Sequence, residues 1–209
     1  MISHEFSFIL IQAPFTGSEF LEEDYVKRNY EVVISSSDTK KLAQELPLEG
    51  KQLAKTIKQF YDYELFSVVK SPYLRAVEMW MKAQTKLRKS GVGKLTLGNY
   101  YENLLNNWKC APGDSIIKQV DYLKSTDGMY FDVELDVEVD TLVKYEFLVD
   151  GQLEELNTFF GNLGAPSIPF YHDPTRLDDS WERHYDKHAI EIVNYIFEED
   201  FDLCGYRKL

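Results

Sequence analysis

A chain of 209 residues is long enough to bury a core without disulfide or metal staples, and its 14% aromatic content supplies bulky material for one. The formal net charge of −12 excludes a broad nucleic-acid or anionic-membrane surface, since both need positive fields, so any anion site is a local exception. Cys110 and Cys204 lie far apart without metal-ligand spacing, and no run reaches the ~20 apolar residues of a membrane span or the pattern of a leader, which predicts a cytoplasmic protein with free thiols.

Residues 6–13 (FSFILIQA) form a near-continuous apolar run, as expected of a central parallel strand covered on both faces. The run enters Pro14-Phe15-Thr16-Gly17-Ser18, a turn-forming stretch, and then EFLEEDYVKR, in which Phe20, Leu21 and Tyr25 share one helical face. Residues 31–35 (EVVIS) predict a short strand. Residues 38–46 and 49–63 predict helices, the second with Leu53, Ile57 and Phe60 at helical steps. Residues 64–80, ELFSVVKSPYLRAVEMW, read as a buried strand running straight into a helix. Phe66, Val68 and Val69 favour the strand, Ser71 is an N-cap, and Pro72 fits the first helical position, where its missing N–H costs nothing.

Lys70 and Arg75 stand near that helix start, where the helix dipole disfavours positive charge. The placement makes sense if an anion binds there, because free N–H groups with a flanking Lys and Arg make a phosphate or sulfate site. The alternative is that both side chains run along the surface to solvent and pair with Glu64 or Glu78.

Residues 89–97 carry two glycines and predict a mobile loop, and 100–107 and 115–123 predict short helices. Asp132, Glu134, Asp136, Glu138 and Asp140 alternate with Val133, Leu135, Val137 and Val139, a period of two that predicts a strand with one apolar and one acidic face. The acidic face is solvated or, as the alternative, holds a divalent cation, although a calcium loop would need an irregular backbone and glycines. Residues 143–148 predict a further strand, and 150–163 a helix stopped by Gly164 and Pro166. Residues 165–179 form a polar, proline-punctuated loop long enough to close over a ligand. Residues 186–200 predict a last helix burying Ala189, Ile192, Val193, Ile196 and Phe197. The order of elements predicts a three-layer α/β/α fold with a central, mainly parallel sheet plus an extra acidic strand or hairpin, in a single domain spanning 1–209.

His184, His188 and Glu191 fall at i, i+4 and i+7 on one helical stripe, but a zinc-protease helix has Glu directly after its first His, and here that residue is Tyr185. No metal site is predicted. His4 and His172 read as surface or loop residues, and neither a nucleophile elbow nor a Walker or dinucleotide fingerprint is present.

The ordered segments resemble the type 2 sulfotransferase family, which has a nucleotide-triphosphate-hydrolase-like fold and moves a sulfuryl group from phosphoadenosine phosphosulfate (PAPS) to a hydroxyl or amine. Ile11 to Ser18 stands where the family has its IPKTGGTS-like loop around the 5′-phosphosulfate. Val68 to Trp80 is similar to the FVRNPYDRLVSAY-like motif that binds the 3′-phosphate. Lys144-Tyr145-Glu146-Phe147-Leu148 resembles an RFENL strand end, and Tyr185 to Tyr206, YDKHAIEIVNYIFEEDFDLCGY, resembles the family's closing helix. The resemblance implies that PAPS, or its desulfated product PAP, is held by Phe15, Thr16, Gly17, Ser18, Lys70, Arg75 and Glu78, with Arg176 of the 165–179 loop reaching a phosphate. It implies a small hydroxylated metabolite or carbohydrate as acceptor, with no nucleic-acid or membrane partner.

The chain departs from the family pattern where the chemistry lies. The loop lysine that stabilises the leaving phosphate is replaced by Phe15, or by Ala13 in the alternative alignment. The arginine opening the second motif is Lys70, which keeps the charge and loses the bidentate fork, and the phosphate-binding serine is Glu78. No catalytic base is assigned; Ser35-Ser36-Ser37 occupies the place where some members carry a histidine. Two functions follow from the resemblance: a PAPS-dependent sulfotransferase, or a non-catalytic binding or regulatory protein on the same fold.

Overall fold

The computed structural model describes residues 2–3, 5–11, 13–18, 20–21, 62–89, 91, 93–106, 116–123, 139–169, 171, 173 and 180–209. Its strands are β1 (Ile2–Ser3), β2 (Phe8–Ile11), β3 (Glu64–Val69) and β4 (Thr141–Lys144). Its α-helices are α1 (Pro72–Lys89), α2 (Leu97–Leu105), α3 (Val120–Leu123), α4 (Tyr145–Val149), α5 (Glu154–Asn162), α6 (Lys187–Ile196) and α7 (Glu198–Cys204), with a 3-10 turn at Trp181–His184. The strand and helix expected at 31–35 and 38–46 lie outside the described residues, as do 49–61 of the helix expected at 49–63 and 132–138 of the acidic strand expected at 132–140; residues 62–63 and 139–140 belong to neither a helix nor a strand. The chain divides into two compact units, one of Met1–Val69 with Asp121–Asp173, the other of Lys70–Val120 with Pro174–Leu209.

The first unit is a mixed α/β body built on a four-stranded sheet in the order β1-β2-β3-β4. β1 runs antiparallel to β2, while β2–β3 and β3–β4 are parallel, with Ile11 opposite Ser67 and Val69 opposite Lys144. The parallel character expected from the apolar runs is present, and Phe8, Leu10, Phe66, Val68, Val69 and Val143 are buried along it. Phe8 and Phe66 meet edge to face at 5.6 Å, and Phe66 lies 4.7 Å from Phe159 and 5.7 Å from Phe160 on α5. Helix α5 ends at Gly164 with φ +70, and Ala165 N–H returns to Phe160 O at 2.8 Å, the closure expected of a glycine stop.

Residues 143–148 do not form one strand. The extended backbone stops at Lys144 and α4 begins at Tyr145, where Tyr145 and Leu148 are buried at a three-residue spacing and Phe147 is 42% exposed. Over six residues an apolar run fits either period, and here the helical face wins because Tyr145 has a buried partner to reach.

The second unit is helical among its described residues. Helix α1 starts at Pro72 as expected and buries Tyr73, Ala76, Val77, Trp80, Ala83 and Leu87 along one side. Leu95, in the segment expected to be a loop, accepts from Trp80 Nε1 at 3.1 Å and Gln84 Nε2 at 3.2 Å, which ties that segment to α1. Thr96 caps α2 and Asp186 caps α6 with side-chain bonds to the N–H groups of Asn99 and Ala189. The expected single closing helix is two helices: α6 ends at Ile196 with Phe197 as its C-cap, and α7 runs from Glu198 to Cys204 with Gly205, in the left-handed region, as its C-cap. Only Val120–Leu123 of the expected 115–123 helix is helical among the described residues. No helix among the described residues is long and apolar enough to cross a membrane.

Candidate functional site

In the first unit, the chain leaves β2 through the expected turn and begins a helical turn at Ser18. Phe15 holds φ +65 and Gly17 φ +81, so the bend uses two left-handed residues, one of them not glycine. Thr16 and Ser18 are buried; Thr16 Oγ1 donates to Ala13 O at 2.8 Å and lies 3.1 Å from Ser18 Oγ. The Gly17 carbonyl accepts from Phe20 N–H at 3.2 Å and from the Tyr171 hydroxyl at 2.8 Å. These bonds occupy the carbonyls of Ala13 and Gly17 with donors of the protein itself.

Gly17 is fixed by crowding as well as by φ. A Cβ there would run into Tyr171 Oη and stand 2.8 Å from the Tyr145 ring. The two tyrosines meet edge to face, and Tyr145 donates to Asp173 Oδ2 at 2.7 Å. The sequence reading missed these three residues, placing Tyr145 in a strand and Tyr171 and Asp173 in a loop. The available signal was the presence of a tyrosine and an aspartate in an otherwise proline-punctuated stretch. The remainder of the expected lid at 174–179, including Arg176, lies outside the described residues, as do Ser35, Ser36 and Ser37.

In the second unit, Lys70 is 2% exposed, and its Nζ donates to Glu78 Oε1 at 2.9 Å and Oε2 at 3.1 Å. The pairing weighed as the alternative to an anion site is therefore present for Lys70, with Glu78 as partner. Arg75 is fully buried. Its Nη1 donates to Ile117 O at 2.8 Å and stands 3.5 Å from Asp200 Oδ2, itself fully buried. Asp200 also accepts from the backbone N–H groups of Gln119 and Val120, each at 2.8 Å. The Gln119 side chain closes a reciprocal pair with the Lys70 backbone: Lys70 N–H donates to Oε1 and Nε2 donates to Lys70 O, both at 2.9 Å. A guanidinium held this way is a strut, and its contacts are to protein groups that no sequence motif placed beside it.

The histidine stripe does not assemble. His184 belongs to the 3-10 turn and packs 5.0 Å from the Trp80 ring, His188 Nε2 faces Glu102 at 3.5 Å, and Glu191 pairs with Lys187 at 3.7 Å. Among the described residues, no three His, Cys, Asp or Glu side chains gather as a metal site. Burial raises the hydroxyl pKa of Tyr101 and Tyr185 well above the usual tyrosine value, with neighbouring tyrosines adding to it and Arg75 opposing at Tyr101. No family model, curated protein or solved structure matches this chain.

Proposed function

We propose that this chain is a sulfotransferase-like protein, with the three-layer α/β/α arrangement of that fold, that binds PAP or PAPS at the carboxyl end of β2 and β3. The reading rests on one observation: β2 and β3 are adjacent and parallel, so the chain leaves both at the same end, and it leaves β2 through a bend shaped by Phe15 and Gly17. Parallel sheets take ligands beyond the carboxyl ends of their strands. By resemblance, Thr16, Gly17 and Ser18 are the donors to the phosphosulfate and Lys70 is the 3′-phosphate cation. Transfer would join the acceptor oxygen to sulfur as the sulfur–phosphate oxygen bond breaks, PAP leaving with the electron pair and the acceptor proton passing to a base. The protein's share is alignment and charge stabilisation on the leaving oxygen, and Phe15 supplies no charge where the family has a lysine. Transfer is therefore slow, the acceptor is a small hydroxylated molecule or carbohydrate, and the protein works in the cytoplasm.

A second reading, a non-catalytic binding or regulatory protein on the same fold, is favoured by the way Glu78 and Asp200 already pair with Lys70 and Arg75. Calorimetric titration with PAP, run beside a transfer assay with labelled PAPS and a panel of hydroxylated acceptors, separates the two. Weak saturable PAP binding with slow transfer supports the first reading. Binding with no transfer supports the second, and absence of PAP binding rejects both as nucleotide proteins.

A further inference from the structure

The closing segment, singled out by sequence, has no role in the proposed site until Asp200 is followed outward. Asp200 is fully buried, and its two oxygens accept from successive backbone N–H groups, Gln119 and Val120, at 2.8 Å each. This grip fixes the backbone from which the Gln119 side chain extends. That side chain in turn holds both the N–H and the C=O of Lys70 at 2.9 Å, as a neighbouring strand would. Arg75 braces the same backbone from α1 through Ile117 O at 2.8 Å and stands against Asp200 at 3.5 Å. The Gln119 bonds to Asp200 and to Lys70 are buried and those of Val120 and Ile117 part-buried, and a charged acceptor bonded to two N–H groups is among the stronger of such contacts.

We infer that Asp200 is a positioning residue for Lys70, acting through Gln119, and that Arg75 braces this relay and does not contact ligand. The inference rests on the reading in which Lys70 serves an anion, and in it α7 of the closing segment sets the backbone that carries that cation. Among the described residues, Lys118 and Glu199 pair at 3.0 Å next to Gln119 and Asp200 in sequence, and Glu78 sits on Lys70.

Two substitutions cut the relay at different links. Asp200→Asn keeps the shape but offers one good acceptor where two N–H groups need one each. Gln119→Met keeps the Asp200 grip and removes both bonds to Lys70. Residue-resolved amide exchange is read on ligand-free protein, and PAP affinity is read by calorimetry. The expected result is that exchange of the Lys70 N–H speeds up about tenfold or more in both variants while mid-α1 amides keep their wild-type rates, and that PAP affinity falls about tenfold in both. Unchanged Lys70 exchange in Asp200→Asn, or loss of protection spread evenly over α1, overturns the inference and makes Asp200 a general core residue. If Asp200→Asn does not fold, Asp200→Glu replaces it in the same measurements, since the longer side chain keeps the charge but cannot keep both backbone bonds. If wild-type protein does not bind PAP, the nucleotide reading fails by itself, and the exchange result still decides whether Asp200 sets Lys70.

Discussion

Glu78 sets a carboxylate on the Lys70 ammonium at 2.9 and 3.1 Å, so any anion that approaches this cation meets a ligand already in place. Removing that carboxylate leaves a buried ammonium without its charge partner, which costs about 3 kcal/mol. Glu78→Ser is expected to lower ligand-free stability by that order and to tighten PAP binding about tenfold, so that PAP restores more stability in the variant than in the wild type. Denaturant unfolding with and without PAP checks this, and equal PAP affinity in the two proteins would refute the role of Glu78 as competitor. Under the proposed function, Phe15 bears on a different constant. Lysine there meets the same left-handed backbone at φ +65, a cost any non-glycine residue shares, and adds a charge needed chiefly in the transition state. Phe15→Lys is expected to raise turnover roughly a hundred- to a thousand-fold with little change in KM, read from steady-state transfer kinetics. A gain confined to KM would mean that the charge helps only the bound substrate.

The bend after β2 and the closing helices carry predictions of their own. At Gly17 the left-handed φ acts together with the Tyr171 hydroxyl and the Tyr145 ring, which leave no room for a Cβ, so Gly17→Ala is expected to cost about 2 kcal/mol or more, measured as a fall in denaturant midpoint. A neutral Gly17→Ala would show that Tyr171 and Tyr145 can move aside at no cost. In the second unit, the Tyr101 hydroxyl donates to Ala76 O at 3.1 Å and the Tyr185 hydroxyl to Tyr73 O at 2.7 Å. Both pKa values are raised in the folded protein, first by burial and then by neighbouring tyrosines. Unfolded tyrosines titrate near ~10, so this stability is fully present below that pH and is lost as pH rises above it toward the raised folded values. Melting points taken with phenolate absorbance are expected to hold level up to about pH 9 and to fall above about 10, with two tyrosines ionising only on unfolding. Tyrosines that all titrate near ~10 before unfolding would contradict the burial of these two.

Across the whole chain, 35 acidic residues against 23 basic ones leave a field that repels a nucleotide before any local cation is met. Screening acts most on such long-range exposed charge and least on buried pairs such as Lys70–Glu78, whose side chains are 2% and 13% exposed. PAP association is therefore expected to quicken between about 0.01 and 0.15 M salt, the opposite of a basic nucleotide site, and stopped-flow binding at the two ionic strengths measures it. Slower association at the higher salt would indicate a positive local field that outweighs the net charge.

The sequence by itself determined the features governed by nearest neighbours. Pro72 begins α1 because a fixed φ and a missing N–H are tolerated at that position, Gly164 ends α5, Asp186 caps α6, and the apolar runs at β2 and β3 become parallel strands. The place of the positive-φ bend was legible too, since Gly17 marks it. Local pattern failed at Tyr145, whose short apolar run suits two periods, and at Phe197, where one periodic stretch divides into two helices. What only the tertiary structure decided is which charges are spoken for. Gln119 reaches Lys70 across 49 residues, Arg75 reaches Ile117 across 42, and Asp200 reaches Gln119 across 81. A motif names a cation from its place beside a helix start, and for Lys70 the partner, Glu78, lies eight residues on within the same stretch, but the groups that hold Arg75 and the Lys70 backbone are brought by folding from beyond any sequence window.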